Sequence, residues 1–402
     1  MMLDVYSTIE GFNAGRDPER LAMKYRKMRE SPFVFLRGTC HLFYQRLPKA
    51  DVLAKAPLTW VCGDLHLENF GSYKGDNGLV YFDISDFDEA ALAPLTWDLV
   101  RFLASVLLAA RDMHASSAQA RSLCKSFIDA YATTLASGKA LWVERDTAQG
   151  LIKDLLEKVR GRSGNALLKS RTRRVNGRLR LHTDGEHALN ANERDRDRVQ
   201  RLIAKFARSR EKRGHYKVLD VARRVAGTGS LGVERWVVLV AGDGAREHGR
   251  LLDLKQALPS SLETWSKIRQ SKWTADSERI VTLQQRSQAI SMALLHSIVT
   301  RKGSYVLRAL LPSEDRVALD AKRRSLSPLE NVLHEMGGVV GSAHLRGCGR
   351  SGSATADALV EFGQQRKHWQ KDLMAVAQRC TAQVRKDWRA FASAYDKRER
   401  EQ

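Results

Sequence analysis

Residues 61–90 read "VCGDLHLENFGSYKGDNGLVYFDISDFDEA" and carry five aspartates and two glutamates, in a chain of formal net charge +21. The stretch "LTWVCGD" (58–64) has the composition of a short buried strand that runs into a polar turn. "GLVYFDISDFD" (78–88) reads as a second strand, and "KGDNG" before it is a hairpin turn. Asp64 and Asn69 stand five apart on the first turn, and Asp86 sits at the end of the next strand. Such a set suits phosphoryl transfer from a nucleotide. One carboxylate orients or accepts the proton of a hydroxyl, while an amide oxygen and a second carboxylate hold Mg²⁺ against the phosphates. Crowded acids repel one another, which gives the cluster a reason to bind a cation.

Around this stretch the chain is basic, with a sequence pI near 10.0, and an acidic partner or substrate is expected. Nucleotide phosphates, nucleic acid and an anionic membrane surface all meet that demand. At 402 residues, two lobes or domains are expected. The five cysteines are scattered without metal-ligand spacing, so neither a zinc site nor a disulfide framework is expected. The first twenty residues lack a basic n-region and an apolar core, and the longest apolar run, "FLASVLLAA" (102–110), is too short to span a bilayer. A cytoplasmic location is the expectation.

Residues 18–46 read as helical, broken at Pro32. "TWDLVRFLASVLLAARDMHA" (96–115) is apolar nearly all round and reads as a buried helix, with another from about Ser117 to Leu135. Residues 151–213 hold 19 Lys+Arg against 8 Asp+Glu, about half of the excess charge in under a sixth of the length. Within them "RTRRVNGRLRLH" (171–182) is a hairpin signal, and 192–213 reads as a solvated helix. Strands are expected in 216–242, 249–258 and 304–311, with a helix at about 277–299 between them. The rest is helical: Leu329, Val332, Leu333, Met336, Val339 and Val340 share one face. The expected units are therefore 1–150, with the acidic turns in a helical part; 151–213, a basic insertion or lid; 214–325, strand-rich; and 326–402, helices returning to the first part.

The second motif is "GTGSLG" (227–232), followed by an apolar strand ending at Lys255. In a Rossmann unit such glycines open a helix. Here "VERWVVLVAG" (233–242) has a β pattern, which favours a hairpin loop over phosphates with a lysine on the next strand but one. Gly227, Gly229, Ser230 and Gly232 would cover the phosphates, and Lys255 would contact them. For the acid that holds this lysine, Glu278, Glu263, Gln284 and Gln288 are candidates. Arg37 is a further candidate for a phosphate contact.

"GDLHLENF" followed by "ISDFDEAALAPLTWDLVR" resembles the catalytic stretch of aminoglycoside phosphotransferases and choline kinases. The resemblance implies an α+β, two-lobed, kinase-like fold. It implies Asp64 as the catalytic aspartate, with His66, which matches the family's second histidine, as the other catalytic residue. Asn69 and Asp86 become the metal-binding pair, and Asp98 a structural aspartate capping the buried helix. Two departures stand out. Cys62 replaces the first histidine of the pattern, and the longer Asp64–Asp86 spacing leaves Asp83 and Asp88 as competitors for the metal. With "SPFVFLRG" (31–38), "GDLHLENFG" and "DFDEA", the chain is identified as a member of the uncharacterised bacterial family catalogued as domain of unknown function 2252.

Kinase-like proteins place the Gly-rich loop before the catalytic loop. Here the order is reversed, so the lobes are expected to be permuted in sequence. The leading expectation is an ATP- and Mg²⁺-dependent phosphotransferase acting on a hydroxyl of an unidentified small molecule or protein. The alternatives are AMP transfer with the nucleotide reversed, or a non-catalytic, basic nucleic-acid-binding or scaffold protein on a degenerate kinase-like fold. Nucleic-acid binding by stacking is disfavoured, because Phe206 is the one aromatic residue of 151–213. Duplex backbone binding needs only Lys and Arg. Glu68, Asp88 and Glu89 leave a cationic acceptor open.

Overall fold

The computed structural model describes residues 3–161, 164–242, 249–310, 316–317 and 326–401. The chain begins with α1 (Val5–Phe12), α2 (Pro18–Glu30), α3 (Pro32–Gly38), α4 (Cys40–Gln45) and α5 (Asp51–Ala54). Pro32 is the first helical residue of α3, and the Ser31 side chain caps the Val34 N–H, so the break at Pro32 is a helix start. β1 (Leu58–Val61), a 3-10 turn at Leu67–Asn69, β2 (Phe70–Lys74), β3 (Val80–Ile84) and β4 (Ala91–Pro94) follow. β1 pairs with β4, while β2, β3 and β5 (Val143–Glu144) form a separate small sheet. Between β4 and β5 run the buried α6 (Thr96–Ala109) and α7 (Ser117–Ser137). A capping box at Ser116 starts α7, and Gly138 in the left-handed region ends it.

Next come α8 (Gly150–Gly161), α9 (Gly164–Arg171), the isolated hairpin of β6 (Thr172–Val175) and β7 (Arg178–Leu181), β8 (Ala188–Asn190) and α10 (Glu193–Ala207). The strand-rich part continues with β9 (Val218–Arg224), β10 (Arg235–Val240), β11 (Arg250–Ala257), α11 (Ser261–Trp265), α12 (Asp276–Ser287), β12 (His296–Thr300) and β13 (Gly303–Ala309). Its six-stranded sheet has the order β12-β13-β11-β10-β9-β8, with every neighbour antiparallel. Three further helices, α13 (Ser327–Gly347), α14 (Ala356–Gln364) and α15 (Arg366–Glu401), pack against α6 and α7. The architecture is mixed α+β.

Period-2 alternation sorts the six-stranded sheet into two faces. Trp236, Val238, Leu252, Leu254 and Leu307 pack under Val199, Ile203 and Phe206 of α10. The opposite face carries Ala222, Val237, Leu239 and Leu251, and the same parity puts Arg224, Arg235, Asp253, Lys255 and Arg308 on it. A larger apolar core unites α6, α7 and α13–α15 with the small sheets.

Three sequence expectations change. The 277–299 helix ends at Ser287, and 296–300 is the edge strand β12. The helix expected to be solvated buries one face on the sheet as α10. β8 pairs with β9, so the six-stranded sheet begins inside the stretch read as a basic insertion. Leu311 and the 325/326 boundary expected between the last two units lie at or beyond the edge of the described residues.

Candidate active site

The turn after β1 is built around Gly63. Its φ is +82°, and a Cβ there would lie 2.2 Å from the Glu89 carbonyl oxygen, so only glycine fits. Fully buried Asp98, in the first turn of α6, accepts the Cys62 N–H at 2.8 Å and the Gly63 N–H at 2.9 Å. Tyr44 donates its hydroxyl to the Gly63 carbonyl at 2.6 Å. Asp98 was expected to cap α6. It instead holds the turn that presents Asp64, because two backbone N–H groups there have no strand partner.

Asp64 points one oxygen into the protein and one outward. Arg101 of α6 donates to Oδ1, with its Nε at 2.9 Å, and also donates to the Leu36 carbonyl at 3.0 Å. Oδ2 faces Gly229, where a Cβ would lie 3.8 Å away. Burial pushes the Asp64 carboxyl up, against the pull of Arg101. His66 accepts the Glu68 N–H on Nδ1 at 3.1 Å, which puts its proton on Nε2. Burial holds this histidine well below its ordinary pKa, so the ring is neutral. Asn69 ties two turns together: its Nδ2 donates to the carbonyls of Asp64 at 3.1 Å and Asp86 at 3.2 Å. Its Oδ1 lies 3.4 Å from the Ser85 hydroxyl.

Among the three competing aspartates, Asp83 is spoken for. It is buried, accepts the N–H groups of Ile84 and Ala289 at 2.8 and 3.0 Å, and does not line the cavity. Asp86 and Asp88 both meet Lys255, whose Nζ contacts Asp88 Oδ2 and lies 3.6 Å from Asp86 Oδ2. Burial opposes ionisation of Asp86, but Lys255, Arg308 and Arg235 overcome it and bring the group down to about 2. Burial and the Asp86 charge push Asp88 up. The expected partners of Lys255 on the strand-rich side go elsewhere. Glu278 accepts the Thr274 N–H, Glu263 lies 3.9 Å from Arg279, and Gln284 and Gln288 bond to each other. Instead α12 offers Arg279, which donates to the carbonyls of Asp88, Ala90 and Leu258 and so clamps the acidic segment.

The glycine motif forms the β9–β10 connection, between two strands and not before a helix. Gly227 and Gly232 have φ of +68° and +87°. The N-terminal helices hold the loop down. Lys24 and Arg16 both donate to the Gly229 carbonyl, at 2.9 and 3.0 Å, and the Asp17 N–H donates to Gly232 at 2.9 Å. Sequence reading missed Lys24 and Arg16. A fully buried lysine at the centre of a charged helix carries no local signature.

All nine proposed site residues except Gly232 line one cavity of about 850 Å³, which lies between the six-stranded sheet and the helical part. Gly232 sits beside it, against Arg16. Arg171, His182 and His187 of the basic stretch also form part of the wall. Arg37 reaches the cavity, paired with Glu68 at 2.8 Å, and Arg316 approaches the same carboxylate at 3.0 Å. Glu89 accepts from the Ser261 N–H and hydroxyl at 2.6 and 2.8 Å. The three acids considered for a cationic acceptor are therefore already partnered. Among the described residues no three His, Cys, Asp or Glu side chains converge as a metal centre. The oxygen donors present are the Asn69 amide and the Asp86 and Asp88 carboxylates. These are hard ligands that suit an ion keeping most of its waters.

Fold and site define an α+β protein with a charged cavity, its acids on the helical side and its glycine loop and lysine on the sheet side. Over residues 16–394 the chain matches a family described as an uncharacterized protein conserved in bacteria (DUF2252), and it belongs to that family. No curated protein and no solved structure matches it. Among the described residues, no helix is long and apolar enough to cross a membrane.

Proposed function

We propose that this protein is an ATP- and Mg²⁺-dependent phosphotransferase with a two-lobed, kinase-like build whose lobes are permuted in sequence. One observation carries the reading: the Gly-rich hairpin and Lys255 meet Asp64, Asn69 and Asp86 on one cavity, although Lys255 and Asp88 are 167 residues apart. An unrelated pair of motifs would have no reason to converge.

In this reading Asp64 Oδ2 takes the proton of the acceptor hydroxyl. Arg101 fixes the rotamer through Oδ1, and the upward push of burial makes the carboxylate a better base near neutral pH. His66, neutral and bonded to the Glu68 N–H, supports the turn that carries Asn69. Asn69 and Asp86 would hold Mg²⁺, with Asp88 beside them. When bound, the ion neutralises phosphate charge. Lys255, which now meets the two aspartates, would contact the nucleotide phosphates. Gly229 lies over Asp64 Oδ2, so admitting the acceptor hydroxyl there would require the loop to lift from Lys24 and Arg16.

The test is nucleotide turnover by the full chain, with products separated as ADP or AMP. Asp64→Asn is expected to lower turnover by roughly 100-fold, the usual worth of a general base. Wild-type turnover by this variant would refute the role of Asp64. AMP as product would transfer the site to the reversed-nucleotide alternative.

A further inference from the structure

The roof of the cavity holds a second charged cluster that the proposed chemistry does not use. Alternation along β11 puts Asp253 two residues before Lys255, on the same face. Asp253 is fully buried and receives three guanidiniums. Arg235 donates to Oδ1 at 2.8 Å and Oδ2 at 2.6 Å, Arg224 reaches Oδ2 at 2.6 Å, and Arg308 reaches it at 3.3 Å. Across the strands Arg235 stands opposite Lys255, and Arg308 opposite Asp253. The arginine side chains are at most 11% exposed, yet all three line the cavity. Asp253 neutralises one guanidinium and Asp86 and Asp88 lie near Arg235 and Arg308, so the three guanidiniums and Lys255 still outnumber the three carboxylates around them. Holding such charge away from water is costly unless an anion meets it.

The geometry is that of a receptor. Each guanidinium has five N–H donors; Asp253 takes the Nε–Nη2 edge of Arg235 and the Nε of Arg308. Of the rest, Arg235 reaches the Ser230 hydroxyl at 3.4 Å and Arg308 the Ser85 carbonyl at 3.1 Å. Asp253 thus acts as a strut that fixes the planes of two guanidiniums at the cavity wall, with the remaining Nη N–H groups of each as donors suited to phosphate oxygens.

We infer that Arg235 and Arg308, oriented by Asp253, form a phosphate-binding subsite on the sheet wall, separate from the Lys255 position. Two sources present that chemistry: the phosphates of a nucleotide bound in the reversed sense, or a phosphate already borne by the acceptor. The subsite needs no turnover, so it stands or falls apart from the phosphotransferase reading.

The experiment uses inorganic pyrophosphate and the full chain, titrated calorimetrically without Mg²⁺. Pyrophosphate is expected to bind wild type, and Arg308→Gln to weaken it roughly tenfold, the loss of one charge-assisted contact. Arg308→Lys is expected to weaken it as well, because an ammonium cannot reproduce the fork. A measurement without variants runs beside these: phenylglyoxal labelling of Arg235 and Arg308, mapped by mass spectrometry, should fall when pyrophosphate is bound. Competition between pyrophosphate and ATP would assign the subsite to the nucleotide, and simultaneous binding would assign it to a phosphorylated acceptor. Absence of pyrophosphate binding, undiminished labelling, or full affinity in Arg308→Gln would overturn the proposal. ATP turnover that persists in any of those cases would leave the function standing without the subsite.

Discussion

Replacing Asp98 tests how the turn carrying Asp64 is held. Asp98→Ala strands two buried N–H groups, those of Cys62 and Gly63, which now lie 2.8 and 2.9 Å from its oxygens. Each orphaned buried donor costs about 1–3 kcal/mol, so the pair costs about 4 kcal/mol. That is a large fraction of the about 5–15 kcal/mol that holds a typical domain together. Asp98→Asn keeps the shape and one acceptor oxygen, turns an amide donor toward the second N–H, and should lose about half as much. His344, 3.4 Å from Oδ2 and bonded to the Tyr131 hydroxyl at 2.8 Å, stays in place in both variants. Equilibrium urea unfolding reads the magnitude, and hydrogen exchange reads the place. The Cys62 and Gly63 amides should lose protection ahead of the α6 amides. If Asp98→Ala were within 1 kcal/mol of wild type with those two amides still protected, the turn would be held by something other than Asp98.

Two further outcomes follow from the same region. His41 is buried, neither ring nitrogen has a hydrogen-bond partner among the described residues, and its ring stacks on Phe12 at 3.7 Å. Burial, then Lys24 and Arg16, bring it down from 6.5 to about 3. Between these values the unfolded chain binds the proton and the folded chain does not, so stability falls as pH falls through that window. From pH 6.5 to 5 the loss is about 2 kcal/mol, and His41→Phe should remove it from the urea midpoints; an unchanged slope would contradict the assignment. Gly63→Ala forces a side chain to φ +82° and into the Glu89 carbonyl 2.2 Å away. The backbone term alone costs about 1–2 kcal/mol, so a melting temperature equal to wild type would mean that the turn can relax.

Local patterns in the sequence specify many of the turns and strands. The "KGDNG" turn joins β2 to β3, and "VNG" turns the β6–β7 hairpin with Asn176 and Gly177 at φ +49° and +74°. Their chemistry is contained in a few adjacent residues, so the sequence displays it. The β pattern after the glycine motif likewise marked a strand–loop–strand unit. What stayed hidden depends on partners far along the chain. Lys24 looks like one charge on a basic helix until the Gly229 carbonyl, 205 residues away, lies against it. Asp253 sits on β11 and its arginines on three other strands, and only the register of the sheet brings them together. The end of α12 and the start of β12 were misread for a different reason: "QAISMALLHSIVT" (288–300) is apolar enough to satisfy either period.

The proposed function requires that one cavity bind a nucleotide with its metal through Asn69, Asp86 and Lys255. A thermal melt of the full chain with millimolar ATP, with and without Mg²⁺, tests it most directly. Stabilisation by a ligand at 100 times its Kd is about 2.7 kcal/mol, a shift of a few degrees for a chain of this size. A clear rise is expected with MgATP, a smaller one with ATP alone, and loss of the Mg²⁺-dependent part in Asp86→Asn. No shift in wild type, or an equal Mg²⁺-dependent shift in Asp86→Asn, would contradict it.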